Sequence, residues 1–391
     1  MKLLFVQKMN GISGSELYLL QIMPELKRRG YDVEMLIVYP EPGDKNKTFI
    51  SYLAEAGIKT QEIYNHFDFS PLLIKKILGV INRGNYDIVQ ANLVHADLWT
   101  SVIKFLFKRK LKIISVKHGY YPAYQAKYGY DFTRLKRNFY YWIEKFVCRI
   151  VNFNVTISKG LYNVYVQGGI ANPSRIRNVY YGLTLRKPVE SASVAVPDTQ
   201  YALITGRLVP FKGHKYLIEA WKKVKKVHPD FKLYIAGDGE CRLELEQLVR
   251  NADLNDVVIF LGHVPNPHPL MASCRFTIVS STWEGFGLIL LESWLHKKPI
   301  VAFDVPAMNE VINDRESGLL AKVNDSDDLA EKIIYLYENA EAARQYGESG
   351  YKQLHSFYTL ERMTGEMEDI YSSIYNEKPV SLTERKAVMY G

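Results

Sequence analysis

Phe276-Thr277-Ile278-Val279-Ser280-Ser281-Thr282-Trp283-Glu284-Gly285-Phe286-Gly287-Leu288-Ile289-Leu290-Leu291-Glu292 reads as a strand, a glycine-bracketed loop and a helix in direct succession. Gly285 and Gly287 free the loop to present backbone N–H groups, and the helix start adds positive potential. Glu284 sits in the loop and Glu292 lies within the helix. The same alternation extends in both directions. Strand-length apolar bursts fall at Lys2–Val6, Val33–Val38, Ile88–Gln90, Lys112–Val116, Asn154–Ile157, Tyr201–Thr205, Lys232–Ala236, Val257–Leu261, Phe276–Val279 and Pro299–Ala302, with helical stretches between most of them. Such alternation predicts parallel sheets covered by helices, an α/β class. It pauses at Leu185–Gln200, which carries Pro188 and Pro197, and starts afresh at Tyr201. Two doubly wound units are therefore expected, joined by this connection. Ligands of such sheets bind at the carboxyl ends of the strands, and two facing units would form a cleft there.

A length of 391 residues suits two or three domains. Hydrophobic residues at 47% and charged residues at 24% exclude disorder, a collagen-like fibre and a small stapled fold. Cys148, Cys241 and Cys274 are an odd, scattered set. They define neither a disulfide framework nor a Cys-x-x-Cys zinc site, and point to a reducing cytoplasm. The start, Met1–Gln7, turns polar too soon for a signal peptide. No apolar run reaches the ~20 residues of a membrane-spanning helix. The chain is expected to be soluble, or at most to lie on a membrane surface.

Charge is unevenly shared. Residues 1–190 hold 28 Lys+Arg and 14 Asp+Glu, whereas residues 191–391 hold 22 and 28. The excess is densest within residues 104–149. Lys104-Phe105-Leu106-Phe107-Lys108-Arg109-Lys110-Leu111-Lys112 opens it. Between Lys117 and Arg149, basic residues such as Lys127, Arg134 and Lys145 then alternate with Tyr120, Tyr124, Phe139, Trp142 and others. Basic plus aromatic residues suit an anionic membrane surface or lipid-linked acceptor. The plainer reading is an amphipathic helix with its aromatics in the core. Nucleic acid is not expected, because no nucleic-acid-binding signature accompanies the patch.

Further motifs carry chemistry. Asn10-Gly11-Ile12-Ser13-Gly14-Ser15-Glu16 follows the first strand and suits either anion binding or a plain tight turn. Pro24 should kink the helix after it. Gly206-Arg207-Leu208-Val209-Pro210-Phe211-Lys212-Gly213 follows the strand that opens the second half. Arg207 is a bidentate phosphate fork and Lys212 a compact charge, so the pair could neutralise a leaving diphosphate. Glu284 and Glu292 could accept hydrogen bonds from sugar hydroxyls and a ribose diol, and an acid behind the apolar Leu288–Leu291 run wants a partner. Asp325-Ser326-Asp327-Asp328 contains an Asp-x-Asp but precedes a helical run, so it reads as a helix cap rather than a metal site.

Together these residues resemble the retaining glycosyltransferases of family 4, whose GT-B fold pairs two Rossmann-like domains. The resemblance runs through the early glycine turn with Glu16, the basic Lys27-Arg28-Arg29 end of the first helix, Arg207 with Lys212, and the Glu-x7-Glu pair Glu284/Glu292. It continues into the Pro299-Ile300-Val301 strand and the final helix, Tyr358–Asn376, which in this fold crosses back onto the first domain. It implies an acceptor domain over 1–184 with 358–391, and a donor domain over 199–357. It implies that Arg207 and Lys212 bind the donor diphosphate, Glu292 the ribose, and Glu284 with Gly285, Phe286, Gly287 and Leu288 the sugar and phosphate. Gly14 would lie under the diphosphate, and His118, which matches the family's active-site histidine, would face the donor sugar across the cleft and act with Glu284, Arg207 and Lys212 as a catalytic residue. Asn92 and His95 are acceptor-side candidates. The chain departs from the family pattern at Tyr181-Gly182-Leu183-Thr184 and at Asp304–Glu310, where a hinge motif and a glycine-rich loop are usual. The implied reaction moves a sugar from a UDP- or GDP-linked donor to a glycan or lipid-linked acceptor, with no metal and no cofactor. It would occur in the cytoplasm or on the inner face of the cell membrane. A nucleotide-sugar epimerase of the same fold and a non-catalytic binding homologue are the alternatives.

Overall fold

The computed structural model describes residues 1–9, 11, 14–40, 47–120, 138–185 and 200–382. They divide into two compact units, one of residues up to 120, 138–184 and from 359 onward, the other of 185–358.

The first unit runs β1 (Lys2–Lys8), α1 (Gly14–Arg28), β2 (Asp32–Tyr39), α2 (Lys47–Glu55), β3 (Lys59–Tyr64), α3 (Pro71–Gly84), β4 (Ile88–Asn92), α4 (Leu93–Leu106), β5 (Ile113–Lys117), α5 (Phe139–Ile150), β6 (Phe153–Thr156), α6 (Lys159–Gln167) and β7 (Ile176–Asn178). Its strands are all parallel, in the order β3-β2-β1-β4-β5-β6-β7. Central strands β4 and β5 are buried throughout, because helices cover both faces. One helical layer packs Leu73 and Ile77 of α3, Trp99 and Ile103 of α4, and Val147 of α5 against Leu4, Val6, Leu36 and Val89. Helix α1 carries Pro24 in its interior without ending there.

The second unit runs β8 (Tyr201–Thr205), α7 (His214–Val227), β9 (Lys232–Ala236), α8 (Arg242–Asn251), β10 (Val258–Gly262), α9 (His268–Ser273), β11 (Phe276–Val279), α10 (Leu288–Leu295), β12 (Ile300–Phe303), α11 (Pro306–Asn309), β13 (Leu319–Ala321), α12 (Ser326–Glu338) and α13 (Ala340–Ser356). These strands are also parallel, in the order β10-β9-β8-β11-β12-β13. The last helix, α14 (Leu360–Tyr375), packs in the first unit, where it buries Met363, Met367, Ile370 and Tyr371. Arg29 meets Glu368 at 2.6 Å, and Arg362 donates to the Tyr180 carbonyl at 2.7 Å.

Three strands lack the apolar bursts of the rest. Edge strand β3 buries only Ile63, and β7 and β13 are three residues each. Edge strand β3, open to solvent on one side, needs no continuous apolar run, and the other two are too short to show one.

Candidate functional site

In an open parallel sheet, the crevice lies where the strand order reverses. In the second unit that point falls between β8 and β11. The loops after these two strands carry Arg207 with Lys212 and Glu284 with Gly287. Backbone contacts tie the loops together: Thr282 N–H donates to the Phe211 carbonyl at 2.8 Å, and Ser280 Oγ to the Lys212 carbonyl at 2.9 Å. Gly213 makes this approach possible. Its φ is +67°, and a Cβ there would lie 1.9 Å from the Ser280 carbonyl oxygen.

Lys212 Nζ lies 2.5 Å from Glu284 Oε1, which also accepts from Ser281 Oγ at 2.7 Å. Glu284 is buried and Lys212 half-buried. Arg207 is exposed, and its side chain, like that of Glu292, makes no hydrogen bond or ion pair among the described residues. Gly287, at φ +86°, is the N-cap of α10 and supplies no side-chain cap; Leu290 N–H donates to its carbonyl at 3.0 Å, which leaves the Leu288 and Ile289 amides of the first turn to meet an anion. Gly285 is buried and Leu288 half-buried. The Phe286 side chain is core, packing on Tyr358 with ring centroids 6.1 Å apart, so only its backbone is available. Glu292 lies half-buried in α10, and burial raises its carboxyl to about 7. An ionisable carboxyl held this way without a counter-charge is a functional-site signal.

Buried His214, beside this cluster, was not singled out by sequence. Neither ring nitrogen has a hydrogen-bond partner among the described residues, and burial, then Lys212, lowers it to about 4.

In the first unit the strand order reverses between β1 and β4. Asn92 ends β4 fully buried, and Leu93 turns the corner into α4 at φ +68°, a strained conformation for leucine. His118 follows β5. Asn92 Oδ1 accepts from Gln90 Nε2 at 3.2 Å and faces His118 Nε2 at 3.3 Å. Nε2 is therefore the protonated nitrogen, and Nδ1 accepts from the Tyr181 hydroxyl. Tyr18 packs edge-on to the His118 ring and stacks on Tyr181. Burial lowers His118 to about 3, so it is neutral at physiological pH. Both its nitrogens are engaged by the chain itself, partners that sequence spacing does not reveal.

Beneath His118, buried Lys117 bridges Asp97 at 2.7 Å and Glu144 at 2.8 Å. His95 Nε2 lies 3.2 Å from Asp68, which also pairs with Lys8. Burial, then the Lys8 charge, lowers His95. Gly14 opens α1; Asn10, Ile12 and Ser13 lie outside the described residues. So do residues 121–137 of the basic aromatic region. Among the described residues, no group of three or more His, Cys, Asp or Glu could hold a metal ion, and no helix is long and apolar enough to cross a membrane. Asp325 caps α12, accepting from the Asp327 and Asp328 amides at 3.1 and 3.0 Å.

Two parallel Rossmann-like sheets, each with polar loops at its switch point, define the GT-B class of glycosyltransferases. Residues 12–187 match Glycosyltransferase Family 4, and residues 187–353 match Glycosyl transferases group 1. The chain belongs to this glycosyltransferase family. It is 31% identical over 179 residues to an uncharacterized glycosyltransferase of Methanocaldococcus jannaschii, a stretch covering 45% of this chain and 49% of that protein. It is 29% identical over 219 residues to the N-acetylgalactosamine-N,N'-diacetylbacillosaminyl-diphospho-undecaprenol 4-alpha-N-acetylgalactosaminyltransferase of Campylobacter jejuni, covering 54% of this chain and 59% of that one. The chain thus spans about half the length of these relatives. In fold it resembles Anabaena HepE in complex with UDP and glucose, with TM-score 0.79, 20% identity, and coverage of 95% of this chain and 100% of that one.

Proposed function

We propose that this protein is a retaining glycosyltransferase that moves a sugar from a nucleotide-diphosphate sugar to an acceptor hydroxyl. The observation that carries the reading is the β8/β11 switch point, where Arg207, Lys212 and the uncapped start of α10 accompany Glu284 and an unpartnered Glu292. Arg207 and Lys212 bind the donor diphosphate, with the amides from Gly285 to Leu288. Glu292 accepts hydrogen bonds from the ribose diol, and Glu284 holds Lys212 and reads the sugar. The barrier is departure of the diphosphate from an oxocarbenium-like carbon. The two cations and the helix start stabilise charge growing on the leaving oxygens, the electrostatic contribution that is usually largest. This arrangement acts without a metal.

The anomeric carbon–oxygen bond to the diphosphate breaks, and the acceptor oxygen bonds to the same face. The acceptor's proton passes to the departing phosphate oxygen, leaving a glycoside and a nucleoside diphosphate. Asn92 and His95 in the first unit are the acceptor-side groups, and His118 faces the donor sugar as a neutral ring. Gly14, at the exposed start of α1, leaves backbone room for a phosphate.

We assign the acceptor to lipid-linked or cell-surface glycans, met at the cytoplasmic face of a membrane. Phe105, Leu106, Phe107, Phe139 and Trp142 are exposed among the basic residues of 104–149, and the Campylobacter relative's name specifies a diphospho-undecaprenol acceptor. A thermal-shift panel of UDP, GDP and their sugars tests the donor reading. One nucleotide should raise the melting temperature of the wild type and not of Lys212→Ala, because a ligand stabilises only the state it binds. No response to any nucleotide, or an equal response in Lys212→Ala, would overturn it.

A further inference from the structure

We propose that the β3–α3 face, residues 64–83, docks on an anionic lipid bilayer; this rests on the lipid-linked acceptor reading. Tyr64, Phe67, Phe69 and Leu72 are all exposed, Phe67 at 68% and Leu72 at 59%. Scattered exposed apolar residues are ordinary, but a contiguous group marks an interaction surface. The loop that carries them is firmly held. Asn65 N–H donates to the Tyr39 carbonyl at 2.9 Å, and its side-chain amide donates to the Phe67 carbonyl. Trp99 Nε1 donates to the Asp68 carbonyl at 2.7 Å, and Ser70 caps α3 by accepting from the Leu73 amide at 3.1 Å. Two phenylalanines on so anchored a loop remain outside the core.

Helix α3 continues the surface. Leu73, Ile74, Ile77 and Ile81 face the core, while Leu72, Lys75, Lys76 and Arg83 are exposed. Beside it lies a 480 Å³ groove whose wall includes Ile63, Leu72, Lys75, Lys76 and Arg83, three cations against the single acid Glu62. None of these three cations pairs with a carboxylate among the described residues. Aromatic and leucine side chains beside unpaired Lys and Arg match a bilayer interface, with rings at the headgroup level and cations on lipid phosphates. Asp68, between the two phenylalanines, contacts both His95 and Lys8 at the carboxyl edge of the sheet. A bilayer on this face would bring lipid headgroups to the acceptor-side residues.

The test is flotation with phosphatidylglycerol/phosphatidylethanolamine vesicles and with phosphatidylcholine vesicles. Wild type should float with the anionic vesicles and not the neutral ones. Phe67→Ser/Phe69→Ser and Lys75→Glu/Lys76→Glu should each weaken binding by about tenfold or more. Lys222→Glu/Lys226→Glu, on α7 of the other unit, should change it less than about twofold. Melting temperature and the nucleotide-induced shift, read on the same preparations, should match the wild type in every variant. The proposal is overturned if wild type binds neither vesicle or both equally, or if the β3–α3 variants bind normally. Should only Phe105→Ser/Phe107→Ser lose binding, the membrane reading stands and this face is wrong. The nucleotide shift reports the donor reading separately.

Discussion

Replacing Glu292 by glutamine should stabilise the unliganded protein while removing its response to the donor nucleotide. A half-buried carboxyl raised to about 7 is uncharged in the folded chain below that pH, where an ordinary one is ionised. The sign follows from linkage: below about pH 4.5 both folded and unfolded chains carry the proton, and the carboxyl costs nothing. As pH rises from there to about 7, the unfolded chain gains by ionising and the folded chain does not, so stability falls. Above about 7 the full cost, about 3 kcal/mol, is present. Half-burial of the side chain admits some solvent screening, so about 2 kcal/mol is the working figure. For a unit of this size that is a rise of roughly 4–8 °C in melting temperature for Glu292→Gln at pH 8, shrinking towards zero at pH 4.5. Glutamine keeps the shape but accepts ribose hydroxyls less strongly, so the nucleotide-induced shift should largely vanish at pH 8. In the wild type, nucleotide binding near pH 7 should release a proton, detectable by calorimetry in buffers of different ionisation enthalpy. The reasoning is refuted if Glu292→Gln melts lower than the wild type at pH 8, since the carboxylate must then have a partner in the free protein. It is equally refuted if the variant responds normally to the nucleotide.

Two more outcomes test neighbouring parts. Gly213→Ala sets a Cβ against the Ser280 carbonyl at a positive φ, so denaturation should show a loss of about 2–4 kcal/mol, and the nucleotide shift should weaken as the two loops part. Lys117→Met leaves Asp97 and Glu144 buried without their cation and should cost about 3–5 kcal/mol, most of it recovered when both acids are also made apolar.

How much of this was legible in the sequence depends on how far apart the cooperating residues lie along the chain. Strands β8, β9 and β11 match their sequence expectations residue for residue, since each is a central strand whose apolar run is nearly continuous. Edge strands β3, β7 and β13 left no such trace. The loops after β8 and β11 were legible for a related reason. Arg207 and Lys212 share one loop, Glu284 and Glu292 one loop-helix unit, and each motif keeps its spacing as a string. Sequence did not show that Lys212 reaches across to Glu284, or that Lys117 gathers Asp97 and Glu144 beneath His118. These contacts join the segments after two different strands, or a strand with two helices, and topology alone brings them together. His118 shows the consequence. Its position after β5 marked it as functional, yet only the structure shows Tyr181 and Asn92 occupying its two nitrogens. A neutral ring already donating to Asn92 and accepting from Tyr181 is poorly suited to take a proton. In the proposed transfer those two contacts fix the orientation of the ring towards the donor sugar rather than make it a base. This fits the proposed transfer, in which the acceptor's proton leaves with the departing phosphate.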